Sequence, residues 1–377
     1  MRATLRPIVL PLLFAMLAIV VYNKRVHRDM EDFAVYRQAA VRSLHAEPLY
    51  QLGDGHYQFK YLPAFALAMT PFAVIDQDTA KLLWFALSLG LLAAFLRWSV
   101  AALPERRWSK RTLMWLAVVL MAKFYAHELM LGQTNLLLGA LLVAALLAIQ
   151  IDQPRVAGAL VGLAVFVKPY ALILVPWLAV TQGLAAAALS LGVLAIGLVL
   201  PVAVYGWAGN GDLLAGWYRT VTDSTAPNLV GNDNISLAAM WAKWIGPGQV
   251  ATMLAAGSSL AVLALAVAVW RKRREVSTPE YLEFALLMLL VPLLSPQGWD
   301  YVLLLATPAV VCVIDRWREI TRGWQWLLGS ALGLMGLTIF DVMGRTLYAR
   351  FMELSIVSVC ALGVAAGLAH LRWRKLA

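Results

Sequence analysis

The sequence predicts an all-α, polytopic membrane fold, and three observations carry that prediction. The chain has 377 residues, of which 62% are hydrophobic and only 14% charged, a balance foreign to soluble globular domains. Its mean hydropathy is +0.74. The apolar runs are continuous and extend from end to end, without the alternation of a membrane β-barrel. No polar stretch is long enough for a separate soluble domain, so residues 1–377 read as one integral membrane domain. The net charge of +10 comes mostly from short basic clusters between apolar runs. Such clusters mark cytoplasmic loops, so no nucleic-acid partner is expected. Cys312 and Cys360 lie within apolar runs and show neither disulfide nor zinc spacing, and read as buried thiols.

Residues 7–22 follow Arg2 and Arg6 and lead into Asn23-Lys24-Arg25 rather than a small-residue cleavage site. They read as an uncleaved first span. A polar first loop follows, taken as 23–79. Within it Phe33, Tyr36, Ala40 and Leu44 have helical spacing, as in an interfacial helix. The apolar piece 62–76 holds Pro63 and Pro71 and suits an interfacial or re-entrant helix better than a crossing. If the basic clusters at Arg2/Arg6, 106–111, 271–274, 316–322 and 372–375 all face the cytoplasm, an even number of crossings separates each pair. That parity makes 80–103 the second span, with 112–129 and 133–151 next. It then demands three crossings in 155–207. These are 155–167, 169–182 and 184–207, broken at Lys168-Pro169, where proline ends the hydrogen-bond ladder and a mid-bilayer lysine is costly. Residues 208–248 are expected to be a second large outer loop, whose Trp217, Tyr218, Trp241 and Trp244 suit an interface. Spans at 249–270, 280–294, 300–315, 323–341 and 352–371 bring the total to about twelve. Both termini are then cytoplasmic, in the inner or plasma membrane.

Most polar clusters without excess positive charge now fall on the extracytoplasmic face. Asp32, beside Phe33, Tyr36 and Arg37, is a candidate general base for a lipid-borne substrate. Its alternative is a solvated carboxylate favoured by a helix dipole, with Asp29 and Glu31 as competitors. Lys60 and Tyr61 either contact substrate or anchor a helix. Gln133 and Asn135 either hydrogen-bond a sugar or phosphate, or cap the next helix. Lys168 either meets an anionic phosphate or snorkels to the interface. Asn232, Asp233, Asn234 and Ser236 form a candidate sugar-binding turn, and Asn234-Ile235-Ser236 also matches a glycosylation sequon. Trp299-Asp300 can stack on and hydrogen-bond a sugar, or is an ordinary interfacial pair. His45, His56 and His127 are scattered without metal-ligand spacing. No Walker loop, dinucleotide fingerprint or nucleophile elbow is present, so a nucleotide-sugar donor is not suggested.

In order along the chain, the segments Asp32-Phe33-Ala34-Val35-Tyr36-Arg37, Pro48-Leu49-Tyr50, Phe59-Lys60-Tyr61-Leu62-Pro63 with Thr70-Pro71, Gly132-Gln133-Thr134-Asn135, the glycine-containing run from Gly158 to Lys168-Pro169, Asn234-Ile235-Ser236, and Leu294-Ser295-Pro296 to Trp299-Asp300 resemble motifs of the GT-C glycosyltransferases. They resemble specifically glycosyltransferase family 87, the polyprenol-phosphate-mannose-dependent α-mannosyltransferases. The resemblance covers roughly residues 30 to 305 and departs from the family where a single Leu62-Pro63 follows Tyr61 and where Tyr301, not histidine, follows Asp300. It implies an inverting transfer of mannose or another hexose from a polyprenyl-phosphate donor to a glycan or glycolipid acceptor. Asp32 is the implied base, with Lys168, Arg37 and Lys60 on the donor phosphate. Tyr36, Tyr61, Gln133, Asn135, Asn232, Asn234, Trp299 and Asp300 are implied around sugar or acceptor. No cofactor or metal is needed beyond the donor itself; the expected partners are membrane lipid, donor and acceptor. The main rival is a multi-pass transporter or flippase, which should place its ionisable or broken segments near mid-membrane. A non-catalytic partner in envelope assembly is a third reading.

Overall fold

The structure is a computed structural model that describes Met16 and residues 18–376. Among these the regular elements are helical, and the one extended pairing is an antiparallel bridge between Asn234 and Trp299. The expected span 7–22 lies largely outside the described residues. Among the described residues four helices are long and apolar enough to cross a membrane: Gln77–Ala102, Lys110–Leu131, Gln249–Glu275 and Ile356–Trp373. A fifth results if Leu184–Val199 and Val202–Asn228, bent by 92°, are counted together. Asn135–Gln150, Pro154–Val167 and Pro169–Gln182 are apolar but shorter.

Local chemistry sets these boundaries. The Asp76 and Ser109 side chains accept from the Thr79 and Thr112 amides and cap the first two long helices. Lys168 takes an extended conformation (φ −152°, ψ 132°) before Pro169 and ends Pro154–Val167. Two expectations are revised. Much of the expected 208–248 loop is helix, Val202–Asn228 and Leu237–Ile245. Gly206, at φ 69°, bends the first of these near its start, and glycine alone enters that region freely. The expected span 300–315 is a 3-10 stretch, Asp300–Ala306, followed by Thr307–Asp315; Pro308 sits in the first turn of the second piece.

The core is built around Glu280–Leu294, buried at every position from Tyr281 to Leu293. A helix apolar all round belongs inside a bundle. Elsewhere close packing holds helices together. A Cβ on Gly158 would lie 2.3 Å from the Ala186 carbonyl oxygen, so Pro154–Val167 and Leu184–Val199 touch backbone to backbone. Ser190 Oγ donates to the Gly158 carbonyl across this seam at 2.7 Å.

Candidate active site

The site begins with a turn. Gly132, at φ 68°, ends Lys110–Leu131 in the left-handed region, and its amide bonds to the Glu128 carbonyl. A Cβ here would lie 2.8 Å from Phe33 Cβ and 3.0 Å from Met30 Cε. Glycine therefore satisfies both the backbone conformation and the approach of the 31–44 helix. That helix is pinned at its start by the Met30 amide, 2.9 Å from the Met130 carbonyl. It is held further by Phe33, stacked on Trp84 at 5.4 Å. Asp32 thus sits in the first helical turn, where the positive end of the helix dipole favours a carboxylate. Gln133 follows the glycine directly and meets it.

Gln133 is the hub. Its Nε2 donates to Asp32 Oδ2 at 2.7 Å and to Tyr301 OH at 3.2 Å. Its Oε1 accepts from Tyr36 OH at 3.0 Å, Tyr61 OH at 3.2 Å and Lys168 Nζ at 3.3 Å. The Tyr36 and Tyr61 hydroxyls are 2.7 Å apart. One carboxamide therefore has an acid at one end and a cation at the other. Both charges line a cavity of about 490 Å³, with Lys60, His127, Trp299 and Tyr301 also on its walls. Val35, Leu131, Val167 and Val221 supply apolar lining.

The enclosure changes the charges. Burial pushes the Asp32 carboxyl above the usual aspartate range, against the pull of the Gln133 bond and of Lys168 and Lys60. Burial lowers Lys60. It also lowers Lys168, at the break between its two helices, to about 8, with Glu128 and Asp32 acting in the opposite direction. The Lys168 ammonium further faces the rings of Tyr61, Tyr170 and Tyr301 at 5.6–5.9 Å.

The structure brings Asp32, Tyr36, Lys60, Tyr61, Gln133, Lys168 and Trp299 to this one cavity. It places the other sequence candidates elsewhere. The Arg37 guanidinium donates to the Phe72 and Ile75 carbonyls at 3.1 and 2.8 Å, clamping the short 63–73 helical segment. Asn135 Nδ2 donates to Glu128 Oε2 at 2.7 Å, while the Leu136 amide reaches Glu128 Oε1. The pair staples the helical turn behind Gln133. Asn234 is fully buried, and its Nδ2 lies within bonding distance of the Asn228, Leu229 and Pro296 carbonyls. That burial excludes the sequon from use in this fold. The Asn232 carbonyl accepts from Lys243. Asp300 is buried one layer back, its Oδ1 3.0 Å from His127 Nδ1 and its Oδ2 4.0 Å from Lys123 Nζ.

Sequence reasoning passes over Glu128 and Tyr170, and weighs His127 only as a metal ligand and Tyr301 only as a departure from the family. Asp233, from the candidate sugar-binding turn, lines the cavity together with His127, Tyr170 and Tyr301. A signal existed for a role of His127 and Glu128: with Lys123 they fall within six residues of an apolar helix, and ionisable groups there need partners. Among the described residues no group of three or more His, Cys, Asp or Glu side chains is arranged to hold a metal ion.

No curated protein and no solved structure matches the chain. A family model described as glycosyltransferase family 87 matches residues 59–296. The match takes in Tyr61, Gln133 and Lys168 and begins after Asp32. With most of its length so matched, the chain belongs to glycosyltransferase family 87.

Proposed function

We propose that this protein is an inverting hexosyltransferase that takes its sugar, mannose by family resemblance, from a polyprenyl-phosphate donor at the extracytoplasmic face of the membrane. The chain then crosses about twelve times, several crossings being the short or broken helices described above. The observation that carries this reading is Gln133, joining the Asp32 carboxylate and the Lys168 ammonium in one cavity. A base and a cation one side chain apart can flank an anomeric carbon.

In the reaction, the acceptor hydroxyl gives its proton to Asp32 and its oxygen attacks the anomeric carbon. The bond from that carbon to the phosphate oxygen breaks, and its electron pair leaves on the lipid phosphate. Lys168, with Lys60 nearby, stabilises the charge that develops there. Burial enhances both roles, because it raises the basicity of Asp32 and strengthens the attraction of Lys168 for an anion. The apolar lining suits the start of the prenyl tail. A transporter would need no base hydrogen-bonded in this way. Purified protein carrying Asp32→Asn should lose turnover by about 10²–10⁴-fold, with binding of a polyprenyl-phosphate sugar retained. Full turnover in that variant would remove Asp32 as the base.

A further inference from the structure

A second cavity of about 540 Å³ adjoins the first, and Gln58 and Lys60 line both. We infer that this groove is the acceptor site, holding the sugar residues of an oligosaccharide or glycolipid headgroup behind the attacking hydroxyl. The inference rests on the glycosyl-transfer reading above.

The helix Val202–Asn228 is the shared wall. Trp217, Val221 and Thr225 recur every four residues and face the first cavity. Gly216, Arg219, Thr220, Asp223 and Pro227 recur at helical intervals on the adjacent stripe and face the groove. Gly216 makes the wall fit: a Cβ there would lie 3.0 Å from Tyr50 Cδ2, so the Tyr50 ring packs close to the helix. Tyr50 is fixed in turn by its hydroxyl, which donates to the Tyr61 carbonyl at 2.6 Å. The Trp217 indole donates to the Lys60 carbonyl at 3.1 Å and holds the partition between the two spaces.

The chemistry differs on the two sides. The first cavity has the acid, the buried cation and the apolar walls. The groove has a single aromatic ring, Tyr50, and hydrogen-bonding groups of both kinds. Among the described residues, the side chains of Arg219 and Asp223 make no hydrogen bond or ion pair, and both are exposed. A guanidinium, a carboxylate and an aromatic ring over a polar floor suit vicinal hydroxyls and a sugar face. The volume lies within the roughly 300–1,000 Å³ of small-ligand sites, room for more than one sugar ring. An oligosaccharide lying there would pass Gln58 and Lys60 to present a hydroxyl to Asp32.

The test uses purified full-length protein and octyl trisaccharides of mannose, glucose and galactose, each carrying a diazirine on the sugar farthest from the octyl chain. After irradiation, labelled peptides are mapped by mass spectrometry. At least one probe should label residues that line the groove alone, Tyr50, Leu52, Arg219, Thr220, Asp223 or Pro227. The double variant Arg219→Ala/Asp223→Ala should reduce that label by about tenfold or more, the loss expected for hydrogen bonds to charged groups, while the KM for the polyprenyl-phosphate sugar changes less than the KM for acceptor. Label confined to the walls of the first cavity, or undiminished in the double variant, overturns the inference. Sugar transfer by the wild type is assayed separately. Its absence would refute the transferase reading, whereas labelling locates the groove's occupant.

Discussion

Replacing Gln133 with leucine tests the hub directly. Leucine keeps much of the bulk of this buried residue and removes both ends of the amide. Two losses follow. Asp32 loses a 2.7 Å bond from a neutral donor, and hydrogen bonds to charged groups are worth about 1.5–3 kcal/mol. If that bond positions the base, kcat/KM should fall by about 10- to 150-fold, at 1.36 kcal/mol per decade. Tyr36 and Tyr61 keep their mutual bond, so stability should fall by only about 1–3 kcal/mol, the range for a buried polar group left unpaired. The pH profile separates positioning from simple damage. The Gln133 bond lowers the pKa of Asp32, so its removal should move the acid limb of kcat/KM to higher pH. The assay is initial-rate transfer from a polyprenyl-phosphate sugar across pH, with thermal unfolding alongside. Wild-type kcat/KM and an unmoved acid limb in a folded variant would refute the reasoning.

Other outcomes follow from the same geometry. In the wild-type enzyme, Lys168 carries its charge below about 8, so kcat/KM for donor should fall as pH rises through that value; a flat profile to pH 10 would refute a required ammonium lowered to that value. With donor bound, the phosphate raises the Lys168 pKa, so the alkaline limb of kcat should lie at higher pH. Lys168→Met should weaken donor binding by at least tenfold in a direct binding measurement, and lost expression with unchanged affinity would assign the lysine a structural role. Gly132→Ala forces a side chain into the left-handed region and against Phe33; it should cost about 1–3 kcal/mol in denaturant unfolding, and an unchanged midpoint would mean that the turn relaxes freely.

The parts of the site that were legible in the sequence are those with local causes. Gly132 before Gln133 marks a turn, and Lys168 before Pro169 marks a helix end, because each rests on the chemistry of one or two residues. The boundaries at 80–103, 133–151 and 280–294 were legible for the same reason: apolar runs stop where polar groups or Pro and Gly begin. Long-range partnerships were not legible. Arg37, Asn135 and Asn234 have the chemistry of ligand-binding groups, and only the fold shows that their hydrogen bonds go to carbonyls and to Glu128. Asp300 was singled out, but its histidine arrives from a distant helix as His127. The helix 202–228 was read as a loop beyond residue 207 because Gly209, Gly211 and Asp212 lower its hydropathy.

That same helix has a consequence for divergence. Its two stripes are offset around one cylinder, so a mutation at 219 or 223 need not disturb what 217 or 221 touches. Relatives can therefore drift along one stripe while the other stays fixed, and one helix becomes two independently adjustable surfaces.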